Sequence, residues 1–215
     1  MSEPKGESSG AHQASEQYFL LADISGYTAF LANVEHTHGL DFSHGIPAGY
    51  DILGALLDVV VQGIQPTFRV AKVEGDAIFG VAAAAELEAV AESLPAALRD
   101  VVGRFQEVKL EQATIASDHV CNACPVASQL WLKMLLHRGI GVQVAAGSHT
   151  ELHGPAVVLV HRMLKNHVTE RIGPRPYLFV TDAAAGPLGL ADAGLAHAEQ
   201  YADAGAVAGR VLTLD

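Results

Sequence analysis

Tyr18-Phe19-Leu20-Leu21-Ala22-Asp23-Ile24-Ser25-Gly26-Tyr27-Thr28-Ala29-Phe30-Leu31 changes its hydrophobic period at Ser25-Gly26. Its first five residues are a continuous apolar run, the pattern of a strand covered on both faces, and the run stops at a carboxylate, Asp23. Beyond Gly26, the residues Tyr27, Phe30, Leu31 and Val34 recur at helical spacing. The segment therefore reads as a buried strand, a tight turn and a helix. Val34 to Gly49 reads as loop, and Tyr50 to Ile64 carries a helical stripe of Ile52, Leu53, Leu56, Leu57, Val60, Val61 and Ile64. Phe68, Val70 and Val73 then open a strand, Glu74-Gly75-Asp76 turns it, and Ala77 to Val81 returns, giving a β-hairpin with an acidic tip.

Further along, Ala84 to Arg104 reads as helix, with Pro95 marking a break or a first turn. Leu132 to Gly139 and Val142 to Ala146 read as two strands, Val157 to Asn166 as extended or helical, and Tyr177 to Val180 as a late strand. The Ala/Gly-rich stretch Ala183 to Gly209 precedes a last strand, Arg210 to Leu214. Adjacent sheet pieces with inserted helices predict a mixed α+β fold, not a doubly wound sheet. The expected organisation is a disordered tail over residues 1–16, which holds no apolar stretch, and one domain over residues 17–215.

Half of the 215 residues are hydrophobic and 17 % are charged, so the chain is expected to pack as a globule. Its formal net charge of −11 argues against a nucleic acid polymer or an anionic membrane as partner, since both select clustered Lys and Arg. No apolar run reaches the roughly 18 residues of a membrane span. With two cysteines and no export signal, the expected location is cytoplasmic, where a structural disulfide is disfavoured.

A single Asp at a strand end is ordinarily a turn or capping residue. Asp23 and Asp76 form a more specific pattern, because each ends a strand and each has glycine nearby. Glycine lets phosphate groups approach the backbone, and amides at a helix start point at anions. Paired carboxylates on a rigid sheet can also hold two hard cations about 3.5–4 Å apart, the spacing useful in phosphoryl transfer.

Three segments carry a family resemblance. Leu21-Ala22-Asp23-Ile24-Ser25-Gly26-Tyr27-Thr28 resembles the first metal-binding motif of class III nucleotidyl cyclases, Asp-Ile-x-Gly-Phe-Thr. Lys72-Val73-Glu74-Gly75-Asp76-Ala77 is similar to their metal hairpin, Lys-x-x-Gly-Asp-Ala. Gly154-Pro155-Ala156-Val157-Val158-Leu159-Val160-His161-Arg162-Met163 aligns with Gly-x-x-Val-Asn-x-Ala-x-Arg-Leu. All three occur in the family's order, and the wording from His161 to Asn166 resembles a bacterial branch away from the well-studied catalytic one.

The resemblance implies a ferredoxin-like mixed sheet flanked by helices, acting on a nucleoside triphosphate as a head-to-tail homodimer. Asp23 and Asp76, with the Ile24 carbonyl, would ligate two Mg²⁺ or Mn²⁺ ions, and the amides of Ser25, Gly26, Tyr27 and Thr28 would meet phosphate oxygens. Lys72 takes the purine-reading position and Arg162 the one that stabilises the transition state, so Asp23, Asp76 and Arg162 form the expected catalytic set. The activity implied is conversion of ATP into 3′,5′-cyclic AMP and pyrophosphate.

This sequence also departs from the pattern. The ribose-orienting Asn falls on Val158, which cannot hydrogen-bond and reads as a core strand residue; the second purine position falls on Glu151. A late phosphate-binding lysine has no counterpart, since Ala183 to Gly209 holds neither Lys nor Arg. These departures favour a second reading, a cyclase-homology module that binds a nucleotide or other ligand without turnover, as a sensor.

His119, Cys121 and Cys124 combine a Cys-x-x-Cys with a histidine, which is half of a zinc site. Reduced thiols, a Zn²⁺ site completed by His137 or a second chain, and a redox pair are three open readings. His36, His38, His44, His149 and His153 fall in expected loops and read as solvated. His161, Arg162, Lys165, His167 and Arg171 form the basic stretch of this acidic chain, read either as a solvated helix face or as a local anion site.

Overall fold

The computed structural model describes residues 13–39, 45–117, 124–147 and 149–215. The apolar run around Tyr18 is the middle of a long strand, β1 (Gln13–Ser25). Alternate residues of β1 serve two cores: Tyr18, Leu20, Ala22 and Ile24 face one, and Phe19 and Leu21 face the other. A strand covered on both faces has no polar alternation, which is why the run is continuous.

From β1 the chain continues through α1 (Tyr27–His38), α2 (Ala48–Ile64), the hairpin β2 (Arg69–Glu74) and β3 (Ala77–Ala83), then α3 (Ala84–Glu88) and α4 (Leu94–Ser117). The second half runs β4 (Trp131–Ala146), β5 (His149–His153), α5 (Pro155–Arg162), α6 (Val168–Ile172), β6 (Tyr177–Thr181), α7 (Asp182–Ala185), β7 (Leu195–Tyr201) and β8 (Gly205–Thr213). The strands form one eight-stranded mixed sheet in the order β2-β3-β1-β4-β6-β8-β7, with β5 paired to β4. The β4–β6 pairing is parallel and the others are antiparallel. Residues of α1, α2, α3, α4 and α7 pack on one face. Those of α5 and α6 pack on the other, giving the expected α+β class.

Several boundaries differ from the sequence expectation. Gln13 to Glu16, placed in a tail, extend β1 and pair with Gln143 to Ile140 of β4. They are exposed, so no hydrophobic pattern marks them, but Glu16 is held by Arg138 at 2.7 Å, and Arg138 also reaches Glu88 at 3.2 Å. The helix after Gly26 runs past Val34 to His38. The two strands expected between Leu132 and Ala146 are one. Gly139 does not end the strand but makes room for α5, since a Cβ there would lie 2.6 Å from the Ala156 Cβ. Val158 lies on helix α5 and is 53 % exposed, not in a core strand. The Ala/Gly-rich C-terminal stretch contains β7, which its small residues conceal, and the final strand begins at Gly205. Gly209 is required where β8 meets the Val180 carbonyl.

The face carrying α5 and α6 is pinned by a buried carboxylate. Glu199 of β7 accepts hydrogen bonds from the His167 backbone N–H (2.6 Å), the His167 Nδ1 (2.8 Å) and the His197 Nε2 (2.6 Å). Burial pushes its pKa up, but the His167 and His197 hydrogen bonds outweigh burial and hold it below its ordinary value of 4.5. The His167 imidazole, hydrogen-bonded to Glu199, is raised above its ordinary 6.5. The lowered carboxylate stabilises the fold above its ordinary value, and that contribution fades as pH falls through the lowered one. The raised imidazole stabilises below 6.5, and its contribution fades as pH rises through the raised value. The wild-type denaturation midpoint should therefore peak between the two values, and Glu199→Gln should flatten that peak. An unchanged pH profile of urea midpoints in the variant would remove Glu199 from this role.

Candidate functional site

Asp23 stands in β1 opposite Ala77 of β3 and Lys133 of β4. Directly opposed residues of an antiparallel pair project from the same face, so the Asp23 and Lys133 side chains meet. The Lys133 Nζ lies 3.0 Å from Asp23 Oδ2, and the same ammonium donates to the Leu164 carbonyl at 3.3 Å. Both side chains are largely buried. The hairpin tip reaches this point as well, because the Ile24 N–H donates to the Asp76 carbonyl at 3.1 Å. Burial pushes the Asp76 carboxyl up, the Asp23 charge pushes it further in the same direction, and Lys133 opposes the rise. The Asp76 carboxyl thus carries the effect of burial first and of the Asp23 charge second.

Gly26 caps α1 in the left-handed conformation, at φ 90°, with no side-chain hydrogen bond to the helix. Amide donors of the first turn are therefore left for water or an anion. Asp23, Ile24, Ser25, Gly26, Tyr27, Thr28, Asp76 and Lys133 line one cleft of about 490 Å³. Every residue that the first two motifs assign to metal or phosphate lies there. Two carboxylates beside uncapped amides fit a divalent cation carrying phosphate, since oxygen donors suit hard cations. Among the described residues no group of three or more His, Cys, Asp or Glu side chains converges, and the carboxylates lining this cleft are Asp23 and Asp76.

The other expected residues occupy two separate cavities. Lys72 and Glu151 line one of about 400 Å³, with Glu74, Phe79 and His161. Lys72 is paired to Glu74 at 2.8 Å, Glu74 lies 3.4 Å from the His161 Nε2, and His161 packs against Phe79 with ring centroids 5.0 Å apart. Arg162 lines a cavity of about 630 Å³ with Val158, Leu159, Ile140 and His137, and pairs with Asp203 of the β7–β8 turn at 2.6 Å. Burial pushes His137 down to about 4, so it is neutral there, and its Nδ1 lies 2.9 Å from the Thr181 Oγ1. Within one chain these cavities share no lining residue with the Asp23–Asp76 cleft.

Three members of the basic stretch that begins in the last turn of α5 go to separate partners: Arg162 to Asp203, His167 to Glu199 and Arg171 to the Ala196 carbonyl. It forms no single anion site. His119 and Cys121 lie outside the described residues, as does the Cys124 side chain, so the zinc expectation falls outside them too. Lys133 is the cleft residue that the sequence reading missed. The signal was a cation inside the apolar run from Leu132 to Leu136, at the parity of Leu135.

No helix among the described residues is long and apolar enough to cross a membrane. The chain is 31 % identical over 135 residues to an uncharacterized protein of Mycobacterium tuberculosis; the match takes in 62 % of this chain and 58 % of that protein. A bacterial light-regulated adenylyl cyclase is similar in structure, with a TM-score of 0.62 and 13 % identity over 93 % of this chain and 52 % of its own. The guanylyl cyclase Cya2 is similar at a TM-score of 0.58 and 14 % identity, over 95 % of this chain and 99 % of its own. The chain thus spans little more than half the length of the first two. At such identities the likeness is one of fold, and the fold is that of a nucleotidyl cyclase catalytic domain. A model of the family DUF2652, described as a protein of unknown function, matches residues 53–171, more than half of the chain, and the protein belongs to that family.

Proposed function

We propose that the protein is a metal-dependent nucleotidyl cyclase that converts ATP into 3′,5′-cyclic AMP and pyrophosphate. The observation that carries this reading is the cleft in which Asp23 and Asp76 face the uncapped start of α1. Asp23 and Asp76 would hold two Mg²⁺ or Mn²⁺ ions, which lower the pKa of the ribose 3′-hydroxyl and neutralise the triphosphate. The amides from Ser25 to Thr28, leading into α1, orient the phosphates. The 3′-oxygen attacks the α-phosphorus in line, the bond to the bridging oxygen breaks, pyrophosphate leaves, and the hydroxyl proton passes to solvent. Lys72 and Glu151 offer a donor and an acceptor to the purine edge. Arg162 supplies positive charge to the transferring phosphorus.

These groups line three cavities of one chain, which supports a head-to-tail homodimer that brings one copy's Asp23–Asp76 cleft to the other's Lys72 and Arg162. The net charge of −11 fits this mode of nucleotide capture, because the cations and a few local groups, not a basic field, would hold the phosphates.

A second reading, binding without turnover, is favoured by Val158 and Arg162. Val158 is exposed on α5 without a polar group for the ribose, and Arg162 is engaged by Asp203. Incubating the protein with ATP and Mn²⁺ and quantifying cyclic AMP separates the two. Turnover should appear in the wild type and fall by about 10² or more in Asp23→Ala and in Asp76→Ala, the size of losing a positioning group. Nucleotide binding without any cyclic product would leave the binding module as the function. Lys72→Ala should raise KM for ATP more than it lowers kcat, because a base-reading contact is made equally in ground and transition states. A fall in kcat alone would remove Lys72 from base reading.

A further inference from the structure

Lys133 adds a group to this cleft that the two-cation reading does not contain. Its ammonium sits 3.0 Å from Asp23 Oδ2 and is held from behind by the Leu164 carbonyl at 3.3 Å. Cross-strand register places it there: Asp23 and Lys133 are direct partners across β1 and β4. Its side chain is 18 % exposed, so the charge lies inside the cleft and not on a solvated rim. An ammonium on a carboxylate oxygen occupies a direction from which a metal ion would bind. The two carboxylates and the ammonium together carry one negative charge, where the carboxylates alone would carry two.

We infer that Lys133 is the built-in counter-cation of the Asp23–Asp76 cleft, and that a divalent cation engages Asp23 by displacing its ammonium. The inference rests on the proposal that these carboxylates hold metal. It makes Lys133 a positioning residue that sets the cleft's affinity for cations. The exchange leaves the displaced ammonium with the Leu164 carbonyl as a hydrogen-bond acceptor. It also gives the cleft a preference for a cation delivered with phosphate, because the incoming anionic oxygens pair with the freed ammonium. Free cations, in contrast, meet both the competing ammonium and its repulsion.

The test uses Mn²⁺ alone, with no nucleotide and no turnover, followed by electron paramagnetic resonance of the free ion in wild type, Lys133→Met, Lys133→Gln and Lys133→Arg. Met keeps the packing of the stem, Gln can still bridge Asp23 and the Leu164 carbonyl, and Arg keeps the charge. Met and Gln should each tighten Mn²⁺ binding by about tenfold or more, which converts to about 1.4 kcal/mol, and Arg should stay near wild type. Circular dichroism melts identify which variants are folded, and either neutral variant suffices. Unchanged or weaker binding in the folded neutral variants, with wild type still binding at Asp23, overturns the role of Lys133 and leaves the metal reading intact. Absence of Mn²⁺ binding in every form, or binding that survives Asp23→Ala with Asp76→Ala, overturns both.

Discussion

The register of β1 between β3 and β4 is the constraint on which the site depends. Asp23 pairs with Ala77 on one side and Lys133 on the other, and the neighbouring Ile24 amide holds the Asp76 carbonyl. A slip of one residue would exchange the faces of β1, sending Asp23 into the core of α2 and α4 and Phe19 and Leu21 with it. Because both faces of β1 are packed, that slip is disfavoured by every apolar side chain of the strand. Two hydrophobic cores therefore hold a polar site in position, and the site needs little of its own energy to stay assembled.

Within that frame, the charges at the strand ends are arranged around a shortage of solvent. Burial first, and the Asp23 charge second, raise the Asp76 proton affinity, and the Lys133 ammonium offsets part of that rise. The uncapped first turn of α1 adds partial positive charge at the same cleft. A buried ion pair of this kind is poor evidence of stability, since desolvation offsets most of the attraction. Its value lies in placing charge at a fixed point where an ion or a phosphate can use it. The same economy holds on the α5–α6 face, where one carboxylate, Glu199, orients two histidines and ties the helical corner to β7.

Much of this was legible in the sequence where hydrophobic period and turn chemistry agree. The Tyr18–Ala22 run, the Gly26 turn and the Gly75 hairpin each have one local solution, and they locate Asp23 and Asp76. The parts that were not legible depend on tertiary partners. Glu16 belongs to β1 because Arg138 and β4 hold it, which no local pattern in Gln13–Glu16 announces. Gly139 reads as punctuation but serves the approach of α5, and the β7 strand is hidden by small side chains that still pair. Val158 is apolar yet exposed, so its helix face is not predicted by burial preference. Lys133 was invisible as a site residue because its meaning lies in the cross-strand partner, not in its neighbours along the chain.

The central claim, that the Asp23–Asp76 cleft receives a metal-bound nucleoside triphosphate, is tested most directly by a crystal structure of the protein with Mn²⁺ and a non-cyclisable ATP analogue. The account predicts anomalous Mn²⁺ density between the Asp23 and Asp76 carboxylates, with the triphosphate against the amides from Ser25 to Thr28. Nucleotide bound elsewhere, or Mn²⁺ density away from both aspartates, would contradict it.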